Sequence, residues 1–414
     1  MGVDMGQVRG LRAELAGFVA DVFASVPRQD QREKGECYLG GLMLDGGRKS
    51  VEAMASRLPD GNGQNLQQFV SASTWDPVPV RRRIAERLLS RVEPLAWAID
   101  DVSSPKDGRM SVAVAHQYCG ALGKQANCQV AVSVHAVSDI ASCPIGWRLF
   151  LPDEWDTDAY RRARTRIPDA VRHREKWRLA LDVLDEAATR RMRPPAVVAD
   201  AGHGNNALFR AGLADRGLPF VVAIRSGTAV RPAAATPLTP VWAGTGCRPA
   251  AGYREPVVSA ADLVGGIGRA AFSEVTWRRG SRGAMRSRFL RLRVRPAGKA
   301  VRRPTREAAL AERGSWDGVL PEAGLLVEWP ERAEHPTDYR LFDLPGRTST
   351  TEVVRLAKIR WRIEHDYREM KHALGLDHFE GRSWAGWHHH VTLVTAAHAF
   401  LTEQRLSPKV PVPA

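Results

Sequence analysis

No stretch of this 414-residue chain reaches the eighteen or so consecutive apolar residues of a membrane span. No basic amphipathic segment stands out as a membrane anchor either. Cysteine is scarce: Cys37, Cys119, Cys128, Cys143 and Cys247 are scattered, without a Cys-x-x-Cys pair. An odd count at irregular spacing argues against a disulfide framework and against a zinc site, and a reduced, intracellular protein is the simplest expectation. Between Met1 and Phe23 there are acidic residues and no apolar run, so no cleaved leader is expected there. Gly120-Ala121-Leu122-Gly123-Lys124-Gln125 lacks the spacing and the Ser/Thr of a P-loop, so no nucleotide hydrolysis is expected from it. Acidic residues also fall short. Asp+Glu is 46 against Lys+Arg of 60, a formal net charge of +14 with a pI near 10.0. That imbalance points to a polyanionic partner, and with no membrane anchor the partner is nucleic acid. The abundance of Ala, Gly, Val and Pro suggests a GC-rich genome, which accounts for part of the Arg excess.

What remains is an ordinary globular composition, 44% hydrophobic and 26% charged, in a length suited to about two to three domains. The first ninety or so residues read as helical. Val8, Leu11, Leu15, Phe18 and Val22 recur at helical spacing. Ser50 to Leu58 and Gln64 to Val70 predict two short helices across the break at 59–63, a helix–turn–helix shape. Asn65, Gln67 and Gln68 would then be available to read base edges, although an ordinary helical hairpin fits the pattern equally well. Pro77 and Pro79 open a further helix.

From Leu95 the texture changes. Leu95 to Asp100 reads as a buried strand, with further strands at Ser111–Ala115, Gln129–Val137, Ala196–Asp200 and Phe220–Ile224. Helices at Trp177–Ala188 and Asn206–Arg216 interleave with them, so the core is α/β. Residues 226–345 break the rhythm with Pro, Gly and short strand-like runs at Phe272–Trp277, Arg288–Arg295, Leu325–Trp329 and Tyr339–Leu344. A long helix, Thr351 to Leu374, resumes the core, and a last one runs from about Trp384 to Gln404.

Two strands end in a carboxylate. Asp100 closes Leu95-Ala96-Trp97-Ala98-Ile99, and Asp200 closes a short apolar run before Gly202-His203-Gly204. Either alone is more often a turn former or helix cap. Two in one α/β core are different, because ligands of open sheets gather at the carboxyl ends of strands. Glu364 stands in the long helix, beside the apolar stripe Leu356, Ile359, Ile363, Tyr367, Met370 and Leu374, with Arg360 and Lys371 on the same flank. Converging carboxylates suit Mg²⁺ or Mn²⁺, and two such ions about 4 Å apart can activate an attacking oxygen and stabilise a leaving one on a phosphodiester. The adjacent cations could hold the DNA backbone. Within Arg288–Arg295, Leu290, Leu292 and Val294 alternate with Arg291, Arg293 and Arg295, a strand with one apolar and one Arg face, which suggests a phosphate-tracking surface. Arg278, Arg279, Arg282 and Arg286 precede it. His388-His389-His390 cannot chelate one ion from consecutive helix positions, and a polar or DNA-facing helix start is expected there.

The chain resembles the DDE superfamily transposases of bacterial insertion sequences, in the branch with a β-strand insertion before the catalytic Glu. The likeness rests chiefly on Arg360-Trp361-Arg362-Ile363-Glu364 with Tyr367 and Lys371, continuing through Gly375-Leu376-Asp377-His378 to Gly381-Arg382-Ser383-Trp384. It extends to Ala98-Ile99-Asp100-Asp101, Val198-Ala199-Asp200-Ala201-Gly202-His203-Gly204 and the Phe69–Asp76 segment. Two positions depart: Ala357 stands where many relatives carry a Tyr three residues before the Arg, and His203 where close ones often have Tyr. The resemblance implies an RNase H-like mixed-sheet core, a catalytic and metal-binding triad of Asp100, Asp200 and Glu364, and two Mg²⁺ or Mn²⁺ ions. It implies phosphate contacts from Arg360 and Lys371. Neighbouring strand residues face opposite ways, so only one of Asp100 and Asp101 can face the metals, and the likeness favours Asp100.

The resulting expectation is a helical DNA-binding domain at 1–93, the catalytic core at 94–225 and 346–406, a β-rich insertion at 226–345 and a loose tail at 407–414. The expected function is transposition: hydrolysis at element ends, then strand transfer into target DNA. The expected partners are double-stranded DNA, both terminal inverted repeats and target, and a homodimer assembled on DNA. The expected setting is the bacterial cytoplasm, at the nucleoid. Two alternatives stay open, an RNase H-like nuclease or resolvase that cuts without joining, and a domesticated DNA-binding protein of the same fold.

Overall fold

The computed structural model describes residues 5–59, 61–246, 251–280 and 283–407. Cys247, Arg282 and all but the first residue of the expected tail lie outside them. In chain order the elements are α1 (Met5–Val22), α2 (Gln29–Met43), α3 (Val51–Ala55), α4 (Gly63–Ser71), α5 (Pro77–Leu89), β1 (Ala96–Pro105), β2 (Ala115–Cys119), β3 (Lys124–Val137), β4 (Ser142–Leu149), α6 (Glu154–Thr157), α7 (Ala159–Thr165), α8 (Lys176–Ala188), β5 (Val197–Ala199), α9 (Ala201–Gly204), α10 (Ala207–Asp215), β6 (Phe220–Ile224), β7 (Ala229–Pro232), β8 (Pro237–Leu238), β9 (Gly252–Tyr253), β10 (Val258–Ser259), α11 (Ala260–Ile267), β11 (Ser273–Gly280), β12 (Gly283–Pro296), α12 (Lys299–Arg313), β13 (Ala323–Glu328), β14 (Asp338–Asp343), α13 (Thr350–Lys358), α14 (Trp361–His372) and α15 (Trp384–Leu406). The fold is α/β. The chain divides into two compact units, Met1–Arg193 with Trp361–Ala414, and Pro194–Arg360.

In the first unit, β3 is the hub of an antiparallel sheet and pairs with β1, β2 and β4. Its last ten residues, Cys128 to Val137, are Val-rich and mostly buried on both faces. Trp97, Trp147 and Trp155 are among the largest fully buried side chains, and burying groups of this size contributes about 1.5–3 kcal/mol each. The other half of the core is α15, buried on nearly every side from Gly386 to Phe400, its histidines and threonines included. Helices α1, α2, α4 and α5 pack around it. Asp76 caps α5 by accepting from Val78 N, with Pro77 at the first helical position.

In the second unit, β5 and β6 are parallel, and the sheet continues antiparallel from β6 through β14, β13 and β12 to β7 and β10. Most of the insertion's strands thus extend the sheet from the strand that ends in Ile224, while β8 and β9 pair with each other in a separate two-stranded sheet. The insertion also carries two helices that periodicity did not predict, α11 and α12, the latter with Pro304 inside it. Two further expectations need correction. Ser111–Ala115 is mostly a turn, with Ala113 at φ 57°, and the strand starts only at Ala115. The long helix from Thr351 is two helices, broken at Ile359–Arg360. Ser349 starts the first with a capping box to Glu352. Among the described residues no helix is long and apolar enough to cross a membrane.

Candidate active site

The pairing of β1 with β3 decides which way Asp100 points. Residues directly opposite in an antiparallel ladder share a face, and neighbours along a strand do not. Asp100 lies opposite Ser133, and Ala98 opposite His135. Ser133 and His135 both bond to α14: the Ser133 hydroxyl is 2.7 Å from the Tyr367 hydroxyl, and His135 Nδ1 is 2.7 Å from Asp366 Oδ2. Asp100 therefore faces the helix that carries Glu364. Asp101 faces the other way, where Lys176 of α8 forms an ion pair with it. This separation of the adjacent carboxylates is the one the pleat requires.

Tyr367, one turn after Glu364, also donates to the main-chain carbonyl of Asp100 at 3.4 Å. Burial first, then the negative charge of Asp100, push its phenol well above the usual range, so it stays a neutral donor. Behind it the chain of contacts continues: Ser133 Oγ to His135 Nε2 at 2.9 Å, His135 Nδ1 to Asp366, and Ser142 Oγ donating to Asp366 Oδ1 at 2.6 Å. The sequence reading missed this network. Its signal was present as two polar residues, Ser133 and His135, at alternate positions of an otherwise apolar strand.

Asp200 belongs to the second unit. It ends β5 and caps the short α9, its Oδ1 accepting from His203 N at 3.1 Å. The glycines around it have steric reasons. A Cβ at Gly204 would lie 2.0 Å from the Ala223 carbonyl, so only glycine lets the turn close against β6. A Cβ at Gly202 would press on the Asp200 carboxylate at 3.1 Å. Among the described residues no group of three or more His, Cys, Asp or Glu side chains is gathered to hold a metal ion. Asp100, Asp200 and Glu364, the donors expected from the sequence, offer carboxylate oxygens, which fit a hard divalent cation.

Two family descriptions match this chain, each over more than half of its length: DDE superfamily endonuclease over residues 21–284 and transposase DDE domain over residues 173–400. The chain belongs to the DDE superfamily. Its α/β elements are those of the RNase H-like DDE fold. The chain is also similar to a protein described as a probable transposase for insertion sequence element IS701, from Microchaete diplosiphon, with 28% identity over 189 residues. That alignment covers 45% of this chain and 47% of the relative, so the chain spans about half the length of the curated relative it matches.

The cations singled out from the sequence of this DDE chain have varied surroundings. Arg360 sits in the helix break, half-buried. Lys371 is half-buried and donates to the Ser103 carbonyl of β1 at 2.8 Å, tying α14 to the strand, and burial lowers its pKa. Along β12, Arg291 donates to the Thr348 carbonyl at 2.6 Å and lies over the Phe342 ring. Arg295 bonds to the Ala233 and Leu320 carbonyls and to Glu322. Arg293 pairs with the same Glu322 at 3.3 Å and is 50% exposed, which leaves it the most open of the three.

In the first unit, α4 buries Leu66, Phe69 and Val70 against α2 and α15 and turns Gln64, Asn65, Gln67 and Gln68 to solvent. The histidines at 388–390 are not a polar or DNA-facing start. All three are buried. His389 contacts the Val70 and Trp75 carbonyls at 3.0 and 2.8 Å, and His390 contacts Tyr38 Oη and the Gly375 carbonyl. Burial pushes His390 down to about 4. These rings satisfy backbone groups where the helical region meets α15.

Proposed function

We propose that this DDE chain is an insertion-sequence transposase. It hydrolyses phosphodiesters at the element's terminal inverted repeats and transfers the freed 3′ ends into target DNA. What supports this most is the shared face of Asp100 and α14, within a chain that matches both the endonuclease and the transposase descriptions. Asp100, Asp200 and Glu364 are the proposed ligands of two Mg²⁺ or Mn²⁺ ions. When bound, such ions activate the attacking oxygen and stabilise the leaving one. Tyr367 holds β1 at Asp100 against the helix of Glu364. Arg360 and Arg293 are the proposed phosphate contacts, and Lys371 acts by fixing α14 on β1. The partner is duplex DNA, with the chain acting as a homodimer assembled on it. The test is incubation of the full chain with duplexes carrying the element's ends. Nicked and joined products that require Mg²⁺ or Mn²⁺ and vanish with chelator are expected. Nicks without joined products would favour a nuclease or resolvase, and stable binding without cleavage a DNA-binding protein.

Tyr367→Phe keeps the half-buried ring and deletes the hydroxyl shared by Ser133 and Asp100. Partners that orient metal ligands typically matter by about 10- to 100-fold in metal affinity or activity. The variant should need more Mn²⁺ for half-maximal binding, read by titration without DNA, while its thermal midpoint stays near that of the parent. An unchanged Mn²⁺ titration would rule out the positioning role.

Asn65, Gln67 and Gln68 all changed to Ala should lower discrimination between element ends and random duplex. Removing a side chain that reads a base edge costs about 1–3 kcal/mol of discrimination. The dependence of affinity on salt should barely move, because the cations that neutralise phosphates stay in place. Affinities for both duplexes across a salt series decide it. A uniform weakening on both would show that α4 does not read bases.

A further inference from the structure

Between β4, α5, α8 and the start of α15 lies a cavity of about 520 Å³ that the chemistry above does not use. Arg148 of β4 lies opposite Val132, and Val132 lies opposite Asp101. Arg148 therefore shares the face of Asp101 and α8, away from Asp100. The cavity is lined by Arg81, Arg148, Arg172, Glu186, Trp384 and His388, with apolar residues between them.

Arg81 is the unusual member. It is 7% exposed, and no carboxylate comes within 4 Å of it among the described residues. Its one side-chain hydrogen-bond partner among them is the ring of His388, which accepts through Nδ1 at 3.3 Å and must be neutral to do so. A buried guanidinium is costly unless it meets an anion. Glu186, which also lines the cavity, is shared by Arg148 and by Arg190, the latter at 2.9 Å. Glu186 is thus already held by two guanidiniums, and with Arg81 and Arg172 also lining the cavity the site holds surplus positive charge. Asp76 also lines the cavity, but it caps α5. Burial, then the like charge of Arg148, pulls Arg81 down to about 10, so it remains charged at neutral pH.

We infer that this cavity is a binding site for a nucleotide phosphate, with the phosphate on Arg81 and the base or sugar against the apolar wall near Trp384. An anion there supplies the partner that Arg81 lacks, with charge-assisted hydrogen bonds that a neutral ligand cannot make. The nucleotide comes either as a free monophosphate or as part of a DNA strand lying across this face. The site is separate from the carboxylates, so it stands whether or not they catalyse transposition.

The test uses the full chain and calorimetric titration with dAMP, deoxyadenosine, inorganic phosphate, and a short single-stranded oligonucleotide with or without a 5′-phosphate. Two variants accompany the parent. Arg81→Gln removes the cation. Ala385→Trp fills the exposed rim of the cavity and leaves the contact between Arg81 and His388 in place. If the ligand is a free nucleotide, dAMP binds, deoxyadenosine does not, and both variants lose at least roughly tenfold in affinity. If the phosphate belongs to a strand, dAMP fails, and the oligonucleotide shows the same loss in both variants. Either result supports the site. Equal binding of dAMP and deoxyadenosine would overturn it. So would an Ala385→Trp protein that binds every probe like the parent, since Arg81 would then only pin α5 to α15.

Discussion

Asp100→Asn, Asp200→Asn and Glu364→Gln should each reduce single-turnover DNA cleavage by at least about 10³-fold, because each removes a charge from the proposed two-ion site. Each change keeps the shape of the side chain. Binding to element ends should therefore survive, and strand transfer should vanish together with cleavage. Combining the changes should cost little more than any one of them, since groups that act as a unit lose their effect together. Asp101→Asn is the informative control. Its carboxylate pairs with Lys176 on the opposite face, an ion pair partly open to solvent and worth about 0–1 kcal/mol. It should leave cleavage within a few-fold of the parent. Robust cleavage by the Asp200→Asn protein would remove Asp200 from the site. A severe loss in Asp101→Asn with Asp100→Asn active would mean that the ladder has been assigned to the wrong face.

That control rests on the structure, but much of it was readable beforehand. The first strand does not end at Asp100 as expected but runs on to Pro105, because Asp101 to Pro105 keep their ladder to β3 and Val102 is buried. The strand residues before Asp100 and Asp200, the strand Phe220–Ile224 and the helix around Glu364 follow from apolar periodicity. The break at Ile359–Arg360 did not, since neither Gly nor Pro marks it and the buried stripe Ile359, Ile363, Met370 runs on through it. Strand β4 was hidden by Pro144, which a central strand normally excludes. It pairs with β3 across an irregularity at Val134 and His135. The burial of His388–His390 was illegible for another reason. The acceptors of His389 are carbonyls 314 and 319 positions away in the chain, and no local pattern announces them. The Arg face of β12 was legible as a pattern, but Thr348 and Leu320, which receive Arg291 and Arg295, were not.

Asp366→Ala should lower the stability of the first unit by about 3–5 kcal/mol, the usual loss when a buried charge network is deprived of one member. In a unit of this size that is a fall of roughly 6–20 °C in the thermal midpoint. Asp366 is 2% exposed and receives His135 and Ser142. His398 stands 3.7 Å from it and 3.5 Å from Glu369, which Arg405 also holds. Burial alone would lower the His398 pKa, but Cys143, Glu369 and Asp366 outweigh it and raise it to about 10. The sign of the pH dependence follows. With a folded value above the unfolded 6.5, the contribution of His398 is complete below about pH 6.5 and is lost as pH rises through about 10. Asp366 and Glu369 act in the opposite sense. Burial would raise both, but His135 and His398 pull the first down, and Arg405 and His398 the second, so their contribution is lost as pH falls through the acid range. The parent should therefore be most stable between these limits and lose stability on the alkaline side. Without Asp366, His398 keeps only part of its negative surroundings, and its proton should leave at lower pH. The alkaline limb of the Asp366→Ala protein should move down in pH. Denaturation measured from pH 5 to 10 checks this. A variant with the same midpoint and the same alkaline limb as the parent would mean that Asp366 is not what keeps His398 charged, and the hold of α14 on β3 and β4 would then rest on apolar packing and on the contact of Tyr367 with Ser133.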